Sequence, residues 1–103
     1  MRRKPKYTIE EIREKVVPVV KQYDKNIAKV YLFGSYARGD AKAKSDIDFR
    51  VDLKEVIGYF KLTQIYTAIE RALKTKIDLL TTCALDEKFL NKIKNEEILL
   101  YAE

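Results

Sequence analysis

The chain contains no histidine, and this absence excludes several kinds of catalytic site. Serine–histidine–aspartate and cysteine–histidine nucleophiles, zinc sites built on imidazole and histidine general bases all need that side chain. The single cysteine, Cys83, allows neither an internal disulfide nor a CxxC site. Any chemistry must therefore use carboxylates, hydroxyls, lysine, arginine or a metal ion held by oxygen ligands.

Long apolar segments are also missing. No apolar run approaches the roughly 18 residues that a membrane span needs. The basic residues 1–6 are not followed by the apolar stretch of a signal peptide, so we expect a cytoplasmic protein with no membrane partner. The length of 103 residues predicts one domain over 1–103, in which residues 1–7 form a flexible basic terminus.

The charge balance argues against nucleic acid as the main partner. The formal net charge is +5, but the 16 acidic residues are interspersed among the 21 basic ones. Only residues 2–4 form an uninterrupted basic cluster, and a cluster at a terminus is usually solvated. The basic surface is therefore expected to make, at most, incidental phosphate contacts.

A capping-box pattern predicts the first helix. Thr8 is followed three residues later by Glu11, and apolar residues then recur at helical spacing as far as Tyr23. Pro18 lies inside this pattern and predicts a kink or an early stop near Val17, because proline lacks a backbone N–H.

The remaining hydrophobic pattern predicts a small α/β or α+β domain. Segment 97–101 fits either the end of the last helix or an edge strand. The order helix, strand, strand, helix, strand, helix indicates a small mixed β-sheet flanked by helices. The predicted elements after the first helix are strands over 27–33, 46–52 and 76–80, a helix over 59–73 and a last helix capped by Asp86.

Two of the three glycines flank one short segment. Gly34 and Gly39 follow the first predicted strand directly, and Ser35 lies between them. Glycines at a strand end let backbone N–H groups approach an anion, and the serine hydroxyl adds a donor. Phosphate is the expected ligand, although a Gly-Ser pair after a strand is by itself more often only a turn.

Three aspartates on two predicted strands suggest a metal site. Asp46 and Asp48 leave the same face of one strand, and like charges this close are unfavourable without a cation between them. Oxygen ligands near a phosphate turn favour Mg²⁺ or Mn²⁺. Asp78 is costly in an apolar strand unless it is paired or bound to a cation. If the two strands are neighbours, the three carboxylates can hold two ions; otherwise Asp78 pairs with a lysine, and the first two form a solvated face.

Together these segments resemble a known signature. Residues 34–40 (GSYARGD) and 45–51 (SDIDFRV) resemble the pattern of the DNA polymerase beta-like nucleotidyltransferase superfamily, which also has a later aspartate on an adjacent strand. The spacer of ten residues between Ser35 and Asp46 resembles that of the minimal nucleotidyltransferases, the MNT or MntA-type proteins. The resemblance implies the polymerase beta-like nucleotidyltransferase fold.

The resemblance also implies catalytic roles for the carboxylates. Asp46 and Asp48 would bind two Mg²⁺ ions, for which Mn²⁺ is the substitute. Asp78 would ligate the catalytic ion and help to deprotonate the acceptor hydroxyl. Attack on the α-phosphorus with loss of pyrophosphate needs no histidine, in agreement with the composition.

Four further residues would bind the nucleotide on the same grounds. Gly34 and Ser35 would hold the triphosphate of ATP. Arg38 would neutralise phosphate charge, and Ser45 would cap or orient the strand that carries the carboxylates. The preference for ATP rests on the resemblance alone.

The resemblance finally implies a partner. Minimal nucleotidyltransferases are similar to one another in acting as antitoxins that transfer AMP to a tyrosine of an HEPN protein, often an RNase toxin. The implied function is a protein adenylyltransferase with an HEPN toxin as its partner. Two alternatives remain: the catalytic subunit of an enzyme that modifies a small molecule such as an antibiotic, and a non-catalytic binding antitoxin. The clustered like charges argue against the second.

Overall fold

The computed structural model describes residues 5–103, which form four helices, four strands and a short 3₁₀ turn. Residues 1–4, part of the expected flexible terminus, lie outside the described residues. The elements are α1 (Ile9–Lys21), β1 (Ile27–Phe33), α2 (Ser35–Arg38), β2 (Ile47–Leu53), α3 (Tyr59–Leu73), β3 (Ile77–Thr81), the 3₁₀ turn (Thr82–Ala84), α4 (Glu87–Ile93) and β4 (Ile98–Ala102).

The strands form one mixed sheet, as the sequence predicted. Their order across the sheet is β3-β2-β1-β4. β1 pairs antiparallel with both β2 and β4, whereas β2 and β3 are parallel. The ambiguous segment 97–101 is therefore an edge strand rather than the end of a helix, and it pairs with β1. β3 is the other edge of the sheet.

The hydrophobic core lies between one face of the sheet and helices α1 and α3. Ile47, Phe49 and Val51 alternate along β2 and are fully buried, as their spacing predicted. They pack with α1 residues such as Val16 and α3 residues such as Ile69. The alternate side chains of β2 leave the opposite face of the sheet, which is where the charged residues lie.

Helix α4 packs on that opposite face. Phe33, the last residue of β1, pairs across the strands with Asp48, so their side chains share a face. The ring of Phe89 meets the ring of Phe33 edge-on at a centroid distance of 6.0 Å, and Ile93 is buried. The predicted cap of this helix is confirmed, since Asp86 accepts a hydrogen bond from the Phe89 N–H at 2.8 Å.

Helix α1 begins as predicted but does not stop at its proline. The Thr8 hydroxyl accepts from the Glu11 N–H, and the Glu11 carboxylate accepts from the Thr8 N–H, which completes the capping box. Of the two expected effects of Pro18, the early stop near Val17 is wrong, because the helix continues through Pro18 to Lys21. Because proline has no N–H, the Glu14 carbonyl one turn earlier lacks its helical partner. Pro18 and Glu14 are both exposed, so water can hydrogen-bond to this carbonyl instead.

The segment before α1 contacts two other elements. The Lys6 N–H donates to the Tyr36 hydroxyl at 3.2 Å, and the Lys6 ammonium donates to the Lys74 carbonyl at 2.8 Å. The Tyr7 hydroxyl donates to the Leu73 carbonyl at the end of α3. In the described part of the chain, every helix falls short of the length and apolarity that a membrane span requires.

Candidate active site

A cavity of about 460 Å³ opens where β1 ends and β2 begins. All seven residues singled out from the sequence line it, together with residues of α4 and of the turn that follows α4. The structure therefore brings the predicted set together, while the role of each residue remains a prediction. The lining residues are Phe33, Gly34, Ser35, Arg38, Ser45, Asp46, Asp48, Asp78, Phe89, Lys92, Ile93 and Glu96.

Gly34 has to be glycine for two independent reasons. Its φ of +77° lies in a region that side chains rarely adopt. A Cβ at this position would also overlap the Asp48 carboxylate oxygen Oδ2. The chain then forms the single helical turn α2 rather than a simple turn, and Gly39 ends it in the left-handed conformation with a φ of +86°.

Asp48 and Asp78 meet across two parallel strands. They are register partners in the β2–β3 pair, so their side chains leave the same face. Partial burial of Asp48 raises its pKa from the ordinary 3.8 to about 7, and the hydrogen bond and charge of Asp78 add to this rise. The charge of Asp46 acts in the same direction, whereas the Arg38 guanidinium lowers the pKa.

The surroundings of Asp78 differ from the sequence-based expectation. The residue is exposed, so the expected cost of burying it in an apolar strand does not arise. β3 is an edge strand. On the face of β3 that carries Asp78, the side chains face the cavity and solvent rather than the core. Among the ion pairs of residues 5–103, none joins Asp78 to a lysine, so these residues do not support the alternative of a lysine partner.

The carboxylates fit a cation chemically, although they are not packed into a finished ligand set. Within residues 5–103, no three histidine, cysteine, aspartate or glutamate side chains converge as a metal cluster. The three aspartates that line the cavity repel one another, and the charges of Asp78 and Asp46 add to the rise in the pKa of Asp48 that burial causes. A bound divalent cation would reverse this repulsion, and oxygen ligands suit Mg²⁺.

The glycine-serine segment is held by a residue that sequence analysis missed. The Gly34 N–H donates to the Glu96 carboxylate at 3.3 Å, and the Arg38 Nη1 donates to the same carboxylate at 3.4 Å. Arg38 also donates from its Nε to Asp40 at 3.2 Å. Both carboxylates raise the pKa of Arg38, Asp40 more than Glu96. Glu96 lies in the turn before β4, where no sequence motif marked it.

Ser45 shapes the entry to β2. Its hydroxyl accepts from the Lys42 N–H at 2.8 Å, and its own N–H donates to the Lys42 carbonyl at 3.0 Å. These two bonds close the loop directly before Asp46. The geometry agrees with a residue that orients the carboxylate strand.

Lys92 is a second cavity residue that sequence analysis missed. It comes from α4, which the Phe33–Phe89 contact holds on the charged face of the sheet. Among the described residues, no carboxylate lies within ion-pair distance of its ammonium group. The α4 sequence predicted a helix but carried no signal for which of its side chains would face the carboxylates.

Two residues after Asp48, the polar face of β2 is buried rather than solvated, because Arg50 lies in a cluster of hydrogen bonds. Arg50 is only 8% exposed and bonds through two nitrogens to the Glu97 carboxylate, at 3.0 and 2.7 Å. Its third nitrogen donates to Asp52 at 2.9 Å and to Thr82 at 2.8 Å, and the guanidinium stacks 4.0 Å from the Tyr31 ring centroid. This cluster fixes the turn that carries Glu96.

Comparison with known proteins agrees with this geometry. The pattern of the family described as polymerase beta, nucleotidyltransferase, matches residues 14–103. The chain is similar to a candidate protein adenylyltransferase of Methanocaldococcus jannaschii, with 37% identity over 72% of this chain and 88% of that protein. It is also similar to the protein adenylyltransferase MntA of Thermococcus cleftensis, with 28% identity over 88% of this chain and 94% of the relative.

A solved structure shows the same fold in a toxin–antitoxin complex. It contains a tri-AMPylated HEPN toxin of Shewanella oneidensis bound to an MNT antitoxin. One chain of that structure matches with a TM-score of 0.71 and 17% identity, over 91% of this chain and 72% of its own length. Taken with the family pattern over residues 14–103, these findings show that the chain belongs to the polymerase beta nucleotidyltransferase family.

Proposed function

We propose that this protein is an antitoxin that transfers AMP from ATP to a tyrosine hydroxyl of an HEPN toxin. The observation that carries the proposal is the meeting of Asp48 and Asp78 beside the Gly34-Ser35 segment in one cavity. The similarity to protein adenylyltransferases and the shared fold with a chain of an AMPylated toxin complex support the protein acceptor.

Two chemically distinct groups of residues line the cavity. Asp46, Asp48 and Asp78 would hold two divalent ions, Mg²⁺ or Mn²⁺, which offset the negative charge of the phosphates when they are bound. The raised pKa of Asp48 means that this carboxyl must lose its proton before it can act as a ligand. The site is therefore expected to load with metal more readily above pH 7 than below it.

The second group of cavity residues supplies hydrogen-bond donors and positive charge. The Gly34 N–H and the Ser35 hydroxyl would bind the triphosphate, and the side chains of Arg38 and Lys92 add two cations to the same cavity. These groups would hold the α-phosphorus within reach of an incoming hydroxyl. Cations at the leaving group also stabilise the charge that develops on pyrophosphate.

Asp78 would act as the base for the acceptor hydroxyl. It is the exposed member of the carboxylate pair, so a hydroxyl on a partner protein can reach it. Asp78 accepts the proton of the tyrosine hydroxyl as the oxygen attacks the α-phosphorus, and the bond from the α-phosphorus to pyrophosphate breaks. The products are an AMP-tyrosine ester and pyrophosphate.

The experiment that tests this proposal follows radiolabel from ATP. The purified chain is incubated with Mg²⁺, α-³²P-labelled ATP and an HEPN protein from the same genome. Asp46→Ala with Asp48→Ala removes two carboxylates from the cavity, and Asp24→Ala with Glu55→Ala removes two exposed carboxylates that do not line it. We expect label on the HEPN protein with wild type and with the control, but not with the cavity variant.

Other outcomes would point to other functions. If the HEPN protein is silenced equally well by the cavity variant and no label moves, the chain is a binding antitoxin and the proposal is wrong. If label moves only to a small molecule such as an aminoglycoside, the chemistry holds but the protein acceptor does not. If the HEPN protein itself is labelled, mass spectrometry shows whether tyrosine is the modified residue.

A further inference from the structure

The carboxylate of Glu96 accepts hydrogen bonds from the donors that the proposed function assigns to phosphate. It accepts from the Gly34 N–H at 3.3 Å and from the Arg38 guanidinium at 3.4 Å. Its side chain is only 24% exposed, and it lines the same cavity as the three aspartates. A carboxylate and a phosphate are both oxyanions, so they compete for an N–H and a guanidinium.

The backbone that carries Glu96 is anchored independently of this contact. The N–H groups of Glu96 and Glu97 both donate to the Ile93 carbonyl at 3.0 Å, which continues the end of α4 into a tight turn. The Glu97 side chain is held by two bonds to the buried Arg50. The Glu96 side chain can therefore leave the cavity by rotating about its own bonds while the turn stays in place.

The balance of charges in the cavity gives the Glu96 carboxylate a direct effect on anion binding. Four carboxylates and two cations line the space, the cations being Arg38 and Lys92. Glu96 engages one of these two cations directly, at 3.4 Å. A triphosphate that enters must overcome this pairing as well as the repulsion from a nearby negative charge, both of which weaken its binding.

We propose that Glu96 is an internal anion that occupies the phosphate-binding donors when no nucleotide is bound, and that the triphosphate must displace it. Glu96 thereby sets the affinity of the protein for its nucleotide. This inference rests on the proposed function, because it takes the Gly34 and Arg38 donors as the phosphate site. It differs from a supporting role, in which loss of the carboxylate would disorder the turn and weaken binding.

Two substitutions separate these roles. Glu96→Gln keeps the shape and an acceptor oxygen but removes the charge, and Glu96→Ala removes the whole group. Glu87→Gln is the matched control, because Glu87 is exposed in the first turn of α4 and does not line the cavity. Isothermal titration calorimetry measures the Kd of each protein for ATP with Mg²⁺, and for inorganic triphosphate, which lacks the base and sugar. Thermal unfolding confirms that each variant is folded.

We expect both Glu96 variants to bind ATP and triphosphate roughly threefold to tenfold more tightly than wild type, and the control to bind as wild type does. The Gly34 amide signal in a ¹⁵N correlation spectrum should also shift in the nucleotide-free Glu96→Gln protein. Unchanged or weaker binding by both variants overturns the inference. If Glu96→Ala is unfolded, the affinity of Glu96→Gln alone decides whether Glu96 competes with the triphosphate.

The outcome also distinguishes this inference from the proposed function. If wild type binds ATP and transfers AMP while the Glu96 variants bind no more tightly, only the inference on Glu96 is wrong. If wild type and the variants bind neither ATP nor triphosphate, the phosphate site itself is wrong, and both proposals fall together. Tighter binding without any AMP transfer supports the competition by Glu96 and contradicts the enzymatic function.

Discussion

Gly34, which directly follows β1, lies against Asp48 of β2, and a single added carbon on Gly34 would overlap the Asp48 Oδ2 atom. The glycine-serine turn and the strand that carries Asp48 are therefore one packed unit rather than two adjacent motifs. Because Gly34 also has a φ of +77°, its backbone N–H can face the cavity while Asp48 fills the space behind it. The positions of the two predicted ligand groups thus depend on each other.

Replacement of Gly34 by alanine should damage both stability and activity. The backbone strain alone costs on the order of 1–3 kcal/mol, and the overlap with Asp48 adds to it. Urea unfolding should show a loss of at least about 2 kcal/mol in the free energy of unfolding. AMP transfer should fall further than the loss of folded protein explains, because the overlap displaces the Asp48 carboxylate from its position in the cavity.

Two other glycines serve as controls for this substitution. Gly39→Ala meets no atom within 4 Å but has a φ of +86°, so it isolates the backbone strain. Gly58→Ala meets no atom within 4 Å and has an ordinary φ of −72°, so it should leave the stability nearly unchanged. If Gly34→Ala and Gly39→Ala cost the same, the contact with Asp48 has no energetic consequence.

The stability of the metal-free protein should depend on the protonation of Asp48. Its pKa in the folded protein is about 7, above the ordinary value of 3.8, so the folded state binds this proton more tightly than the unfolded state does. The resulting contribution to stability is fully present below pH 4 and is lost as the pH rises through 7. Urea unfolding in EDTA at pH 5 and pH 8 should show this decrease.

Asp48→Asn should remove most of this dependence. An asparagine cannot be charged, so the variant should lose less stability than wild type between pH 5 and pH 8, provided that EDTA is present. The exposed turn residue Asp24 gives the matched control, since Asp24→Asn should keep the wild-type slope. Equal slopes for all three proteins would show that the pKa of Asp48 is not raised.

The sequence predicted the long periodic elements well because their patterns are local. The bounds of β1 and α3 are those predicted, at 27–33 and 59–73. The four-residue helix α2 was missed, since a segment of that length has no periodicity to detect. The continuation of α1 past Pro18 depends on solvent reaching one carbonyl, which the order of residues does not reveal.

The residues of the candidate site likewise fall into those that a local pattern predicts and those that only the folded structure brings to the cavity. Gly34, Ser35, Asp46 and Asp48 belong to one short segment, so a local motif was enough to group them. Glu96 and Lys92 reach the cavity from a helix and turn about sixty positions later in the chain, through packing on Phe33. The exposure of Asp78 follows from the place of β3 at the sheet edge, which the strand sequence does not encode.

The buried pair of Arg50 and Glu97 should make a large contribution to stability. Arg50 is 8% exposed and makes two bonds to the Glu97 carboxylate. Glu97→Ala leaves a buried guanidinium with fewer partners and should cost about 3 kcal/mol in urea unfolding. The exposed ion pair of Lys54 and Glu103 provides the comparison, because Glu103→Ala should cost at most about 1 kcal/mol. Similar costs at the two positions would contradict this assignment.

Lys92 should affect nucleotide binding without affecting the fold. Its ammonium group lines the cavity from α4 and has no ion-pair partner among the described residues, so its removal leaves no buried charge behind. Lys92→Ala should raise the KM for ATP by roughly threefold to tenfold, because a cation that binds phosphate through an exposed contact contributes on the order of 1 kcal/mol.

The control for Lys92 is on the same helix. Lys88 is exposed and does not line the cavity, so Lys88→Ala should keep the wild-type KM while it changes the net charge by the same amount. A rise in KM in both variants would indicate a general effect of surface charge on ATP. A rise in the Lys92 variant alone, with an unchanged melting temperature, places α4 in the nucleotide site and explains why this helix is packed against the last residue of β1.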